Sequence, residues 1–168
     1  MYDELTEVDI KKMQEEINHR VRVLRPQLIE EVQTTRAFGD LSENYEYKCA
    51  KQAKNRNESR IRYLERMIRT AKVIEVKDGQ EDVVGLFDHV TIFNEMAKKE
   101  MTIQLVTTLR QDALKGYISK ESPVGAALMG RKVGERVLVE VSPTLKYFVE
   151  IRGIKKGEDD ASLEISSY

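Results

Sequence analysis

The chain has 168 residues, with 28 Lys and Arg against 29 Asp and Glu, giving a formal net charge of -1. So balanced a chain has no overall attraction for nucleic acid or anionic membrane, and any such attraction must be local. One cysteine, Cys49, excludes an intrachain disulfide framework and fits a cytoplasmic protein. Two isolated histidines, His19 and His89, leave no zinc set, and no stretch approaches the roughly 20 apolar residues of a membrane span. Charged residues make up 34 % and aromatics 7 %, a composition suited to an elongated, solvated protein rather than one large core.

Segment 7–36 has apolar residues at Ile10, Met13, Ile17, Val21, Leu24, Leu28 and Val32. Steps of three and four make one stripe on a helix. Thr6 is placed to cap it, with Asp9 as the capping-box acid. Pro26 lacks an N–H and collides with the preceding turn, so a kink is expected there, with the stripe continuing in phase. Segment 44–74 carries a second seam through Tyr47, Ala50, Lys54, Asn57, Ile61, Leu64, Ile68 and Ala71, the heptad pattern of a coiled coil. Lys54 and Asn57 interrupt it, which suits the setting of register. The short link Ala37–Ser42 makes the two helices antiparallel neighbours, each about 45 Å long at 1.5 Å per residue. A turn centred near Asp40 places Leu24 opposite Asn57 and Ile17 opposite Leu64. Residues 1–76 are thus read as an N-terminal helical coiled-coil hairpin.

From about residue 80 the pattern becomes strands and turns. His89–Asn94 and Met101–Thr107 read as a β-hairpin, and Ser122–Gly130 as a short helix with a serine cap, a proline at the first helical position and a terminal glycine. Arg136–Val141 and Lys146–Ile151 alternate strictly, with Val137, Val139, Val141 and Tyr147, Val149, Ile151 on their apolar faces. Residues 80–156 are read as a small antiparallel sheet domain covered by one short helix. The polar, acidic stretch 157–168 is expected to fray. Cys49 is expected to pack beside the seam, and His19 and His89 to face water.

The hairpin tip holds the residues with chemical potential. Asp40 and Glu43 stand three apart at a helix start. One reading is a capping box in which Asp40 or Ser42 caps and Glu43 reaches back to an orphan N–H, with the helix dipole favouring both acids. The other starts from position: two carboxylates on a rod's end cannot build the roughly six-oxygen shell of Mg²⁺, but they can complete one whose other ligands belong to another protein. The second helix is strongly basic. Its tip-proximal cations, Lys48, Lys51 and Arg56, with Arg36 of the first helix, are either a solvated coiled-coil face or a hold on a nucleic-acid backbone.

The run Arg36-Ala37-Phe38-Gly39-Asp40-Leu41-Ser42-Glu43-Asn44-Tyr45-Glu46-Tyr47 closely resembles the tip motif of the bacterial Gre transcript-cleavage factors. Arg25-Pro26, Arg60-Ile61, Ala71–Ile74, Ser122–Arg131 and Gly134–Val141 are also similar to that family, so the likeness spans nearly the whole chain before the tail. The resemblance implies a coiled-coil domain followed by an FKBP-like domain. It implies a monomer that binds RNA polymerase at the rim of the secondary channel, with Ser122 and Pro123 contacting the β′ subunit. It implies that Asp40 and Glu43 help hold the second Mg²⁺ of the polymerase active site, with no cofactor of the factor's own. It also implies that the polymerase then cleaves the 3′ end of backtracked nascent RNA, held by Arg36, Lys48, Lys51 and Arg56. Tyr45 departs from the small residue usual at its position; it is placed to stack on a base or pack on Phe38. The broken basic surface leans towards a GreA-like rather than a GreB-like factor.

Rival readings are a homologue that blocks the same channel without stimulating cleavage, a prolyl isomerase, and a coiled-coil adaptor. The intact acid pair argues against the first and third. The scarcity of aromatics in the second half, which has no Trp, argues against the second. With the acids assigned to a metal, Ser42 is expected to cap the second helix and Asp40 and Glu43 to face solvent.

Overall fold

A computed structural model describes residues 3–39, 43–77 and 79–167. They fall into two compact units, one of Ile10–Ala71 and one that joins Glu4–Asp9 to the chain from Lys72 onward. No helix among the described residues is long and apolar enough to cross a membrane.

The first unit is a helical hairpin. Its outgoing arm is helix α1 (Glu7–His19), a π-helical turn (Arg20–Leu24) and helix α2 (Arg25–Arg36); helix α3 (Tyr45–Thr70) returns. The expected disturbance at Pro26 takes the form of the π turn, in which the Arg25 N–H donates to the Arg20 carbonyl five residues back. The wider turn makes room for the proline ring against the carbonyl of Arg22, four residues earlier, and the helix carries on.

The arms meet through ion pairs as well as apolar contacts. Met13 and Leu64 are fully buried, and Ile61 and Ala50 nearly so. Asn57 exchanges two hydrogen bonds with Arg20: Arg20 Nη1 donates to Asn57 Oδ1 at 3.0 Å, and Asn57 Nδ2 donates to the Arg20 carbonyl at 3.3 Å. Its partner is thus Arg20, about one turn from the Leu24 expected opposite it. Arg60 is buried and grips Glu16 at 2.8 and 3.2 Å, while Arg25 grips Glu58 at 2.7 and 2.9 Å. These bidentate pairs fix one register, because a guanidinium fork matches a carboxylate in a narrow range of positions.

Helix α3 ends at Thr70, earlier than the sequence suggested. Lys72–Val73 forms strand β2, parallel to strand β1 (Glu4–Leu5), and the Ile74 N–H donates to the Leu5 carbonyl at 2.8 Å. The β-branched Val73 and Ile74 suit an extended chain, and β1 offers the partner that lets them adopt it.

The second unit also holds a five-stranded sheet built from β3 (His89–Asn94), β4 (Lys99–Val106), β5 (Tyr117–Ser119), β6 (Arg136–Glu140) and β7 (Lys146–Lys155), ordered β5-β4-β3-β7-β6. It is not wholly antiparallel: β5 runs parallel to β4, reached through two 3₁₀ turns. Val90, Ile92, Ile103, Leu105, Val137, Val139, Val149 and Ile151 supply the inner face, and Leu128 of helix α4 (Pro123–Leu128) packs on it. Val141 lies past the end of β6 and is exposed, so it does not extend the apolar face.

The stretch after residue 156 does not fray as expected. The Gly157 N–H donates to Asp88 Oδ1 at 3.2 Å, Arg110 meets Asp159 at 2.5 Å, and the Ser166 N–H donates to the Leu109 carbonyl at 2.7 Å. Asp88 and Arg110 are buried charges that need partners, and the acidic stretch supplies them through the Gly157 N–H and the Asp159 carboxylate. His89 is half-buried with Nδ1 sheltered from solvent, rather than facing water. Cys49 is exposed rather than packed beside the seam.

Candidate functional site at the hairpin tip

The tip is closed from both sides by backbone and side-chain bonds. At the end of α2, Ala37 N–H donates to the Thr34 carbonyl at 3.3 Å and Phe38 N–H to the Thr35 carbonyl at 3.1 Å. Gly39 follows with φ +125°, a conformation that side chains of L residues resist. Asp40, Leu41 and Ser42 lie outside the described residues. On the far side, Asn44 caps α3: its Oδ1 accepts from the Tyr47 N–H at 3.0 Å. The cap expected at Ser42, which lies outside the described residues, is supplied by Asn44, because the helix starts at Tyr45 and its N-cap is the residue before it. The same carboxamide donates through Nδ2 to the Thr35 carbonyl at 2.6 Å, across the mouth of the loop.

Glu43 is exposed, and its carboxylate makes no ion pair with another described residue. It is not folded back as a capping-box acid onto a described N–H. Phe38 and Tyr45 are 62 % and 77 % exposed, so both rings stand largely in solvent. A hydrogen bond to the Cys49 side chain one turn on holds the Tyr45 phenol above its ordinary value.

The basic face of α3 divides in two. Arg36, Lys48, Lys51 and Arg56 are exposed and make no ion pair with a described residue. Farther from the tip, Arg60 is taken up by Glu16 and is structural. Lys48 and Lys51 are one turn apart on one face. Arg56, eight residues from Lys48, is turned about 80° away at 3.6 residues per turn, so the structure gathers the first two and sets the third apart.

In the sheet unit, Ser122 and Pro123 open α4. The Ser122 hydroxyl donates to the Ser119 carbonyl at 2.7 Å and accepts from the Gly125 N–H at 3.1 Å, so it is engaged within the fold. Pro123 is exposed beside it.

Among the described residues no three His, Cys, Asp or Glu side chains gather as a metal site. The test of fit for Mg²⁺ is therefore what Glu43 offers. An exposed carboxylate with no ion-pair partner among the described residues can add one or two oxygens to a shell of about six, and cannot form the shell alone.

Two family models divide the chain between them: "Transcription elongation factor, N-terminal" matches residues 4–73, and "Transcription elongation factor, GreA/GreB, C-term" matches residues 79–156. The chain belongs to the GreA/GreB family. It is a Gre-type transcription elongation factor. The transcription elongation factor GreA of Caldanaerobacter subterraneus subsp. tengcongensis is 42 % identical over 137 residues, which is 82 % of this chain and 87 % of the relative. GreA of Geobacillus kaustophilus is 37 % identical over 151 residues, 90 % of this chain and 95 % of the relative. The crystal structure of GreA factor homolog 1 (Gfh1) of Thermus thermophilus aligns over 93 % of this chain and 100 % of its own, at 24 % identity and a TM-score of 0.42. The C-terminal family model stops at residue 156, so the bonded stretch from Gly157 lies beyond it.

Proposed function

We propose that this Gre factor binds RNA polymerase at its secondary channel and stimulates the polymerase's own cleavage of backtracked nascent RNA. The observation that carries this is Glu43: an exposed carboxylate at the end of a helical hairpin, with no ion-pair partner among the described residues, next to a residue that closes the tip. Asp40 and Glu43 act together as ligands in trans. When bound between polymerase and factor, Mg²⁺ lowers the pKa of a water and neutralises charge on the attacked phosphate. The factor's residues position that chemistry and perform no bond cleavage of their own, so the factor is an accessory rather than an enzyme. Lys48 and Lys51, with Arg36 and Arg56, hold the backbone of the extruded 3′ segment. Exposed Pro123, set by the engaged Ser122 hydroxyl, meets the β′ subunit. The protein works as a monomer in the cytoplasm.

The test is a polymerase stalled in a backtracked complex with Mg²⁺. Wild-type factor should release short 3′ RNA fragments. Asp40→Ala with Glu43→Ala should abolish them at unchanged binding. Normal cleavage by the double variant would sink the proposal. Binding with arrest of synthesis and no fragments would instead identify a channel-blocking homologue.

A further inference from the structure

We infer that Asn44 is a positioning residue for the tip acids, acting as a clasp that joins the end of α2 to the start of α3. The inference rests on the tip function proposed above.

Capping alone does not account for an asparagine here. Ser, Asp and Asn cap about equally well through one acceptor oxygen. A serine hydroxyl donates and accepts through one short-reaching atom and an aspartate only accepts, whereas a carboxamide carries its donor on a second branch beside the acceptor. Asn44 uses both: Oδ1 takes the Tyr47 N–H, and Nδ2 reaches the Thr35 carbonyl at 2.6 Å. Thr35 is itself a firm anchor. Its hydroxyl donates to the Glu31 carbonyl at 2.8 Å, and its own carbonyl also receives the Phe38 N–H at 3.1 Å. One side chain thus fixes the separation of the two ends of the loop that carries the acids. Glu43 is bonded directly to Asn44, so slack at the clasp passes to the backbone of Glu43. A ligand displaced by about 1 Å can cost on the order of 100-fold in rate.

Asn44→Ser separates the two roles, since serine keeps the cap acceptor but has no second branch to carry a donor as far as the Thr35 carbonyl. Three readings follow it. The first is RNA cleavage at saturating factor, which should fall about 10- to 100-fold. The second is the factor concentration for half-maximal effect, which should stay unchanged while the Mg²⁺ concentration for half-maximal cleavage rises. The third needs no polymerase: the pulsed-EPR distance distribution between labels on Cys49 and on Ala37→Cys should broaden. Helical circular dichroism checks that α3 still starts. If serine unravels it, Asn44→Asp, a strong cap that when ionised has no donor at all, gives the same comparison. An Asn44→Ser factor with wild-type cleavage and Mg²⁺ dependence overturns the clasp, as does a variant that loses only binding. Those results, alongside a dead Asp40→Ala/Glu43→Ala factor, leave the tip reading standing. A cleaving double variant fails the tip reading and the clasp together.

Discussion

Arg110 Nε lies 2.7 Å from Asp9 Oδ1, and both side chains are completely buried. The guanidinium also meets Asp159 and the Thr6 hydroxyl, donates to the Asp160 carbonyl, and stacks 4.6 Å from the centre of the Phe87 ring. One cation thereby gathers the first residues of the sheet unit, its middle and its last segment. Removing one partner of such a pair leaves an uncompensated buried charge and costs about 3–5 kcal/mol. Arg110→Met and Asp9→Asn are each expected to lower stability by that order in urea unfolding. The double variant should be less damaged than the sum of the two. Asp159→Asn should cost less, because that carboxylate keeps some access to water.

The hairpin is expected to weaken in acid. Burial pushes the Glu16 carboxyl up, but hydrogen bonds from Arg60 and Arg20 outweigh it, and the net shift is downward. A hydrogen bond from Arg25 likewise lowers Glu58. A carboxyl depressed in the folded state contributes its stability above the unfolded value, about 4.3, and loses it as pH falls through the lower folded value. Thermal melting followed at the helical signal should therefore fall steeply below about pH 4.3. Glu16→Gln should flatten that fall while lowering the melting temperature at pH 7.

Two glycines are required by close approach. A Cβ on Gly125 would stand 2.0 Å from the Ser119 carbonyl oxygen and 2.8 Å from Lys120 Cα, all backbone that cannot swing aside. Gly125→Ala is expected to pry α4 from β5 and cost about 1–3 kcal/mol in unfolding experiments. A Cβ on Gly157 would stand 2.0 Å from the Phe87 carbonyl oxygen. Gly157→Ala should free the last segment, seen as faster amide exchange at Ser166, whose N–H is bonded to Leu109.

Lys48→Glu with Lys51→Glu should weaken crosslinking to backtracked RNA and reduce its salt dependence. Stability should hardly change, since neither lysine pairs with a described residue. Arg60→Glu should do the reverse, unfolding the hairpin through loss of the Glu16 pair. Unchanged crosslinking in the lysine variant would leave that face as solvated surface only.

What the sequence disclosed follows from where burial governs pattern. β3 spans His89–Asn94 as read, and the Thr6–Asp9 capping box forms, with Thr6 N–H donating to Asp9 Oδ2 at 3.1 Å. Alternation and cap spacing are local, so they are legible. Arg60 and Arg110 were not, because a charged residue does not announce that its partner lies dozens of residues away. β1 and β2 are two residues each, too short for a period. At the tip, Ser42 and Asn44 are equally good caps by type, and the reach of Asn44 to the Thr35 carbonyl depends on the two helix ends meeting, which no local spacing announces. The last segment looked frayed because its composition is polar, yet Asp88 and Arg110 give its polar groups buried partners.

The π turn at Arg20–Leu24 uncouples the length of the outgoing arm from its residue count. A turn closed over five residues has absorbed one residue beyond α-helical register, while the helix on either side keeps its phase. Excising a residue there, with Pro26 replaced, would leave Glu16 still facing Arg60 and Arg25 still facing Glu58. The arm can therefore tolerate at this place the loss of one residue that would misalign the seam anywhere else along it.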